Sequence, residues 1–338
     1  MKSKLKLIMS MTLLVIFFIP TVVFGEEQAI PYSITPILSG TQENTAASYF
    51  DMILEPGQEE ELKLLVKNNS DKEITVDITP NTARTSDSGT IDYSGIEAEL
   101  STTLPISFEK IVTGKQKVNV PANGKKEVLF KVMMPKESFD GAILGGFYVK
   151  QTNISDSKKA QEGVNINNEY AFVVGAKLAQ KKEVIEPQFK LSTIKVEKWN
   201  ERHTLGIKLI NDAPKIMSNM TLETMIYQED KQIKLFEKRN FSMAPNSIFH
   251  LHEVIAPSEL PKGTYKLKIV IKKEDKTYAL QKNFKVSTPE SLAASDNVLN
   301  SDKQEYNRLY ILIITILTLG LFILLTIIIY TRKKHKKR

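Results

Sequence analysis

"FDGAILGGFYVK", residues 139–150, places three glycines within six positions and flanks them with aliphatic and aromatic side chains. Two readings compete. Gly141, Gly145 and Gly146 suit a loop whose backbone N–H groups face an anion, but a phosphate loop continues into a helix N-terminus and carries a Lys-Ser/Thr pair. Phe147, Tyr148 and Val149 follow instead, and aromatic and β-branched residues fit a pleated, half-buried surface. Glycine inside such a run marks a bend or a close approach to the backbone. The stretch reads as a turn at Asp140-Gly141 entering a β-strand, not as a nucleotide site.

Outward from it the same period recurs. In "EELKLLVKNNSDKEITVDITP" Leu62, Leu64 and Val66 alternate with polar residues, as do Ile74, Val76 and Ile78, with Asn68-Asn69-Ser70-Asp71 between them. Period-2 alternation around an Asn/Ser/Asp turn predicts a hairpin. "KVNVPANGKKEVLFKVMMP" repeats this around Asn123-Gly124. Beyond residues 181–187, "FKLSTIKVEKWNERHTLGIKLIND", "MTLETMIYQEDKQIKLFEKRNFSMAP" and "GTYKLKIVIKKEDKTYALQKNFKV" keep the style, the last with Tyr265, Leu267, Ile269 and Ile271 on one face and a turn at Glu274-Asp275-Lys276. The expectation is all-β: two immunoglobulin-like β-sandwich domains, residues 26–180 and 181–287, each of ordinary sandwich size.

The ends of the chain predict export and anchoring. Lys2, Lys4 and Lys6 precede an apolar run and a small-residue exit at Val23-Phe24-Gly25, the order of a signal peptide over residues 1–25. Residues 310–330 carry no charge and are dominated by Ile and Leu, long enough to cross a hydrocarbon core of about 30 Å. Tyr310 and Tyr330 suit its two interfaces, and the tail at 331–338, with Arg332, Lys333 and Lys334, predicts a cytoplasmic C-terminus. Residues 288–309, rich in Ser, Asp and Asn, read as a stalk. This places the protein in the cell membrane as a single-pass chain with its bulk outside.

Charge follows the same division. The formal net charge is +7, but three Lys lie in the leader and seven Lys/Arg in Arg308 and the tail, so the remainder carries 36 bases against 39 acids. The basic surplus directs topology, which removes the electrostatic argument for nucleic acid. Residues 26–180 carry 15 bases and 22 acids, and residues 181–287 carry 20 and 13. That asymmetry implies attraction between the halves or separate partners for each. There is no cysteine, so the domains must be held by their hydrophobic cores without disulfides.

Little points to chemistry. His203, His250 and His252 are the exported histidines; His250 and His252 share a strand face without a third ligand at metal spacing, and read as a solvent-facing pair beside the turn at Pro245-Asn246-Ser247. Asp92, Glu97 and Glu99 cluster near Tyr93 without defining a glycosidase pair, and no G-x-S-x-G elbow occurs. Leu260-Pro-Lys-Gly-Thr264 exchanges the last two residues of a sortase signal and continues into strand sequence. No enzyme activity, catalytic residue, metal or cofactor is expected.

In order along the chain, "SITPIL", "SYFDMILEPGQEEELKLLVKNNSDKEITV", "GTIDYS", "VPANGKKEVLFKVMMP", "FDGAILGGFYV", "MAPNSIFHLHE" and "GTYKLKIVI" resemble the hallmarks of the WxL-interacting proteins of Gram-positive bacteria. The resemblance implies a surface adaptor whose first domain binds peptidoglycan, whose second binds host or extracellular-matrix components, and which associates with WxL-domain surface proteins. Trp199 is followed by Asn200-Glu201, so the chain itself lacks a Trp-x-Leu motif. Where the family carries Pro-Glu-Asn-Gln, Ser39-Gly40-Thr41-Gln42 stands here; only Gln42 matches, and no acidic contact is implied there. The glycan-contact candidates are Gly145, Gly146 and Tyr148, with strand packing as the expected reason for the glycines and a close glycan as the alternative. An envelope enzyme acting on wall glycans and a purely structural anchor are the competing functions.

Overall fold

A computed structural model describes residues 30–96, 99–152 and 169–287. The leader, residues 288–309, the apolar segment 310–330 and the basic tail, with Tyr310, Tyr330, Arg332, Lys333 and Lys334, lie outside them. Among the described residues no helix is long and apolar enough to cross a membrane.

The first sandwich is built from strands β1 (Tyr32–Ile37), β2 (Phe50–Ile53), β3 (Glu59–Asn68), β4 (Ile74–Thr82), β7 (Gln116–Val120), β8 (Lys125–Met133), β9 (Ala142–Gln151) and β10 (Ala171–Ala179). One sheet has the order β1-β3-β8 and the other β2-β10-β9-β4-β7. The alternation read from sequence is the inward face: Leu62, Leu64, Val66, Ile74, Val76 and Ile78 are all buried. Each such side chain contributes about 1.5–3 kcal/mol by leaving water. Phe147 stands at the centre of this core, its ring 4.6 Å from Phe130, 5.8 Å from Phe108 and 6.2 Å from Phe50. The turn after β3 is held by the buried Asn68, whose Nδ2 donates to the carbonyls of Lys72, Val120 and Pro121. Asn123, with φ of 53°, makes the β7–β8 turn, a conformation that Asn tolerates better than most residues.

The second sandwich comprises β11 (Phe189–Trp199), β12 (Arg202–Asn211), β13 (Met217–Gln228), β14 (Lys231–Met243), β15 (Ser247–Val254), β16 (Gly263–Lys273) and β17 (Lys276–Val286). Its sheets run β11-β12-β15 and β14-β13-β16-β17. Tyr265, Leu267, Ile269 and Ile271 enter its core as the alternation predicts. In an immunoglobulin constant-type sandwich the fourth strand belongs to the sheet of the first two; here β14 pairs with β13 instead.

Strand by strand, the second sandwich repeats the first. The first, third and eighth strands correspond to β11, β12 and β15, and β4, β7, β9 and β10 to β13, β14, β16 and β17. Among the described residues two features distinguish the first sandwich. One is β2, which adds parallel to β10 through Phe50↔Ala176 to Ile53↔Ala179. The other is an excursion between β4 and β7 that carries the hairpin β5 (Arg84–Thr85) and β6 (Ile91–Asp92) and a one-turn helix α1 (Phe108–Ile111). This excursion docks on the second sandwich.

Candidate functional site

Successive residues of β9 face opposite sides of the sheet, so its two adjacent glycines meet different neighbours. On the inner side, a Cβ at Gly145 would lie 2.0 Å from Phe108 Cγ. Phe108 is fixed there because its N–H donates to Thr82 Oγ1 at 2.7 Å, while the Glu109 carboxylate accepts from the Thr82 N–H and hydroxyl. Burial would raise the Glu109 pKa, but hydrogen bonds from the Thr82 hydroxyl, the backbone N–H groups of Glu109 and Thr82 and the Ser107 hydroxyl together hold it below the usual value. On the outer side, a Cβ at Gly146 would lie 2.8 Å from Tyr93 Cδ1. Asn81 Nδ2 donates to the Tyr93 carbonyl at 2.8 Å and holds that loop against the strand. Burial, and then Tyr49, push the Tyr93 phenol up to about 12, keeping it a neutral donor.

The glycines therefore admit two aromatic rings of the excursion. Gly146 pairs in register with Gly175 of β10, leaving the outer face without side chains on two neighbouring strands. Tyr49 flanks this gap, its Cβ 3.6 Å from the position a Cβ at Gly175 would take. Tyr148 is half-buried on the same face, opposite Thr79 and Val173.

At the start of β9 the chain meets the second sandwich. Gly141 has φ of +72°, its N–H donates to Glu183 Oε1 at 2.6 Å, and a Cβ there would lie 2.3 Å from the Pro214 carbonyl oxygen. The next N–H, of Ala142, donates to that same carbonyl at 3.0 Å. A groove of about 470 Å³ opens beside this junction, its walls supplied by both sandwiches and the connecting residues. Parallel pairing of β2 with β10 sets Lys177 Nζ 2.9 Å from Asp51 Oδ1 on the groove wall. Glu43 pairs with Lys182, and Lys181 with Asp140 and Glu183. The hydrogen bond from Lys182 holds the Glu43 carboxyl below its ordinary value and raises the lysine in turn. Gln42 is buried, and its Nε2 donates to the carbonyls of Asn44 and Tyr49. It shapes the loop that carries Glu43 and Tyr49 to the groove.

A second cluster lies where β5–β6 rests on the second sandwich. The Thr85 and Ser247 hydroxyls are 2.6 Å apart, the Ala244 N–H donates to Thr85 Oγ1, and Ser247 donates to the Ala244 carbonyl. Ser242 N–H donates to the Gly89 carbonyl across the same seam. Glu99 pairs with Lys208 at 2.5 Å, so part of the opposite charge on the two halves is used between them. The reading of His250 and His252 as a solvent-facing pair is corrected for His252. Its ring stacks on Trp199 at 4.4 Å, lies 3.2 Å from Glu197 and 4.0 Å from Asp87, and is nearly enclosed. Gly206 makes this possible, since a Cβ there would collide with Glu197 Oε1. His203 is buried elsewhere, and among the described residues no group of three metal-ligating side chains is positioned to hold an ion. Asp92 accepts from the Ser94 N–H and hydroxyl, Glu99 faces Lys208, and Glu97 lies outside the described residues.

Two sandwiches of one topology, joined by a latch and sharing a groove, define a tandem all-β scaffold that presents surfaces. The chain belongs to the WxL Interacting Protein family: residues 32–151 match its peptidoglycan binding domain and residues 161–294 its host binding domain. The second match begins before β10, a strand that hydrogen-bonds into the first sandwich. A search of curated proteins finds no match. Among solved structures, the E. coli chaperone DraB aligns at 12% identity and a TM-score of 0.28, covering 76% of this chain and 99% of its own. The class 5 fimbriae chaperone CfaA aligns at 13% identity and 0.28, covering 76% and 100%. PapD-like domain 7 of human CEP192 aligns at 12% identity and 0.26, covering 49% and 98%.

Proposed function

We propose that the protein is a non-catalytic, membrane-anchored surface adaptor. Its first sandwich, within residues 26–180, binds peptidoglycan; its second, within 181–287, binds host matrix components; and the pair associates with secreted WxL-domain proteins. The observation that carries this is the succession of the two family domains along one chain. Both are described as binding domains, and they fall on two sandwiches that share one topology. Anchoring rests on the sequence of residues 310–330 with its flanking Tyr310 and Tyr330 and the basic Arg332, Lys333 and Lys334.

Retention of the purified full-length chain on isolated peptidoglycan tests the reading. Binding without release of soluble muropeptides supports the adaptor. Release identifies an envelope enzyme, and failure to bind leaves a structural anchor. Protease treatment of wall-stripped cells tests the topology: the sandwiches should be digested while the tail stays protected, and protected sandwiches would refute the orientation.

A further inference from the structure

We propose that the groove between the sandwiches and the tyrosine face leading out of it together take one repeat of peptidoglycan, the sugars on the tyrosines and the stem peptide in the groove. This rests on the peptidoglycan-binding reading above and gives it a place.

The groove has an apolar floor and a rim of both signs. Ile53, Ala142, Ala179 and Ile216 line the floor, while the pairs Asp51–Lys177, Glu43–Lys182 and Glu183–Lys181 stand around it. A ligand of one charge would be repelled by half of that rim. A short peptide carrying both ammonium and carboxylate groups exchanges partners with it, most readily at Glu43–Lys182, an exposed pair weak enough for the exchange to cost little. Alanyl methyl groups fit the floor, and about 470 Å³ is within the range of sites that enclose a small ligand.

Tyr49 belongs to both regions. It lines the groove and, 37% exposed, borders the gap left by Gly146 and Gly175. Tyr93 lies across that gap and Tyr148 continues the same face, so three amphipathic rings follow the groove mouth along the sheet. Such rings offer an apolar surface to the C–H faces of a sugar and a hydroxyl to its edge. Thr79 and Asn81 add polar groups from β4.

An added partner strand is the rival occupant, because β2 is a sheet edge. That edge is covered: Gln42 bridges to Met52, and the Glu43 N–H donates to the Asp51 carbonyl at 2.7 Å. Without a row of free backbone groups, β-augmentation has no template.

The test titrates the full-length chain with a disaccharide-tetrapeptide, the same disaccharide without peptide, the free tetrapeptide, and intact sacculi. The disaccharide-tetrapeptide should bind at least tenfold tighter than either half. Lys182→Glu should weaken the tetrapeptide-bearing probes about tenfold and leave the disaccharide unchanged; Tyr49→Ala, which touches both regions, should weaken every probe. Lys285→Glu, an equal charge change at an exposed site of β17, should alter nothing. Thermal melts matching the parent establish that each variant folds. If the parent holds sacculi but Lys182→Glu and Tyr49→Ala bind every probe like the parent, or Lys285→Glu is equally damaging, the groove assignment falls and peptidoglycan binding stands. If the parent does not hold sacculi, the peptidoglycan reading itself falls.

Discussion

Phe108 fills the space that any side chain at Gly145 would need: a Cβ there would sit 2.0 Å from the ring's Cγ. Phe108 is wholly buried and stands edge-on to Phe147, so the ring has nowhere to retreat. The excursion between β4 and β7 is thus fastened through the sheet by one aromatic residue inside and another, Tyr93, outside.

Gly145→Ala should destabilise the first sandwich by about 1–3 kcal/mol through overpacking. Gly146→Ala should cost less, because Tyr93 is only partly buried and its ring can lift. Placing Gly145→Ala in a Phe108→Ala background should remove most of its effect, since neighbours that share one space are not additive. Denaturant midpoints of the four proteins check this. A Gly145→Ala protein that unfolds like the parent would show that the ring does not occupy this position.

Thr85→Val should loosen the seam between the sandwiches. It leaves the buried Ala244 N–H without its acceptor and takes a partner from the Ser247 hydroxyl, a loss of about 1–3 kcal/mol. Calorimetry should then resolve two transitions where the parent shows one, and Thr85→Ser should restore the single transition. Two transitions in the parent would mean that the latch does not couple the domains.

The strands were legible because their period matches the pleat: Leu62, Leu64, Val66 and later Val128, Phe130 and Val132 alternate and are buried as a set. The turn at Asp140-Gly141 was legible too, and Gly141 takes the positive φ that glycine permits. The reason for Gly145-Gly146 was only half legible. A glycine pair announces a close approach, but nothing local names Phe108 or Tyr93, which arrive from another part of the chain. The partnership of Thr85 with Ser247 spans 162 residues and leaves no periodic trace. Parallel pairing of β2 with β10, which builds one wall of the groove, is invisible for the same reason. Alternation puts His252 on the outer face of β15, but what covers it there, Trp199 of β11 and Asp87 of the other domain's excursion, is distant in sequence.

Glu253 should make the second sandwich more stable in acid than its composition suggests. Burial pushes its carboxyl up to about 7 from an ordinary 4.5, with Lys238 pulling it down. Because the folded chain holds this proton more tightly, the contribution is full below pH 4.5 and is lost as pH rises to about 7. Glu253→Gln should flatten that slope and exceed the parent's stability above pH 7, by at most about 3 kcal/mol. His252, whose pKa is lowered by burial, has the opposite slope, so the comparison is parent against variant at each pH. Parallel stability curves would refute the assignment.

Trp199 is the chain's single tryptophan, and its contact with His252, at an interplanar angle of 6°, makes it a reporter of the seam between the domains. Imidazolium in contact with an indole quenches its emission, whereas neutral imidazole does so weakly. Burial lowers the His252 pKa below 6.5, and Asp87 and then Glu197 oppose that shift. Emission should therefore fall on acidification with a midpoint below 6.5, and His252→Gln should abolish the titration. Asp87 belongs to the first domain's excursion, 4.0 Å from His252 Nε2. Asp87→Asn removes an attraction to the protonated ring, so its midpoint should move further down. A midpoint that ignores Asp87→Asn would mean that the hairpin does not rest on the second sandwich in solution, while a downward shift places the two domains in contact by a measurement on one residue of each.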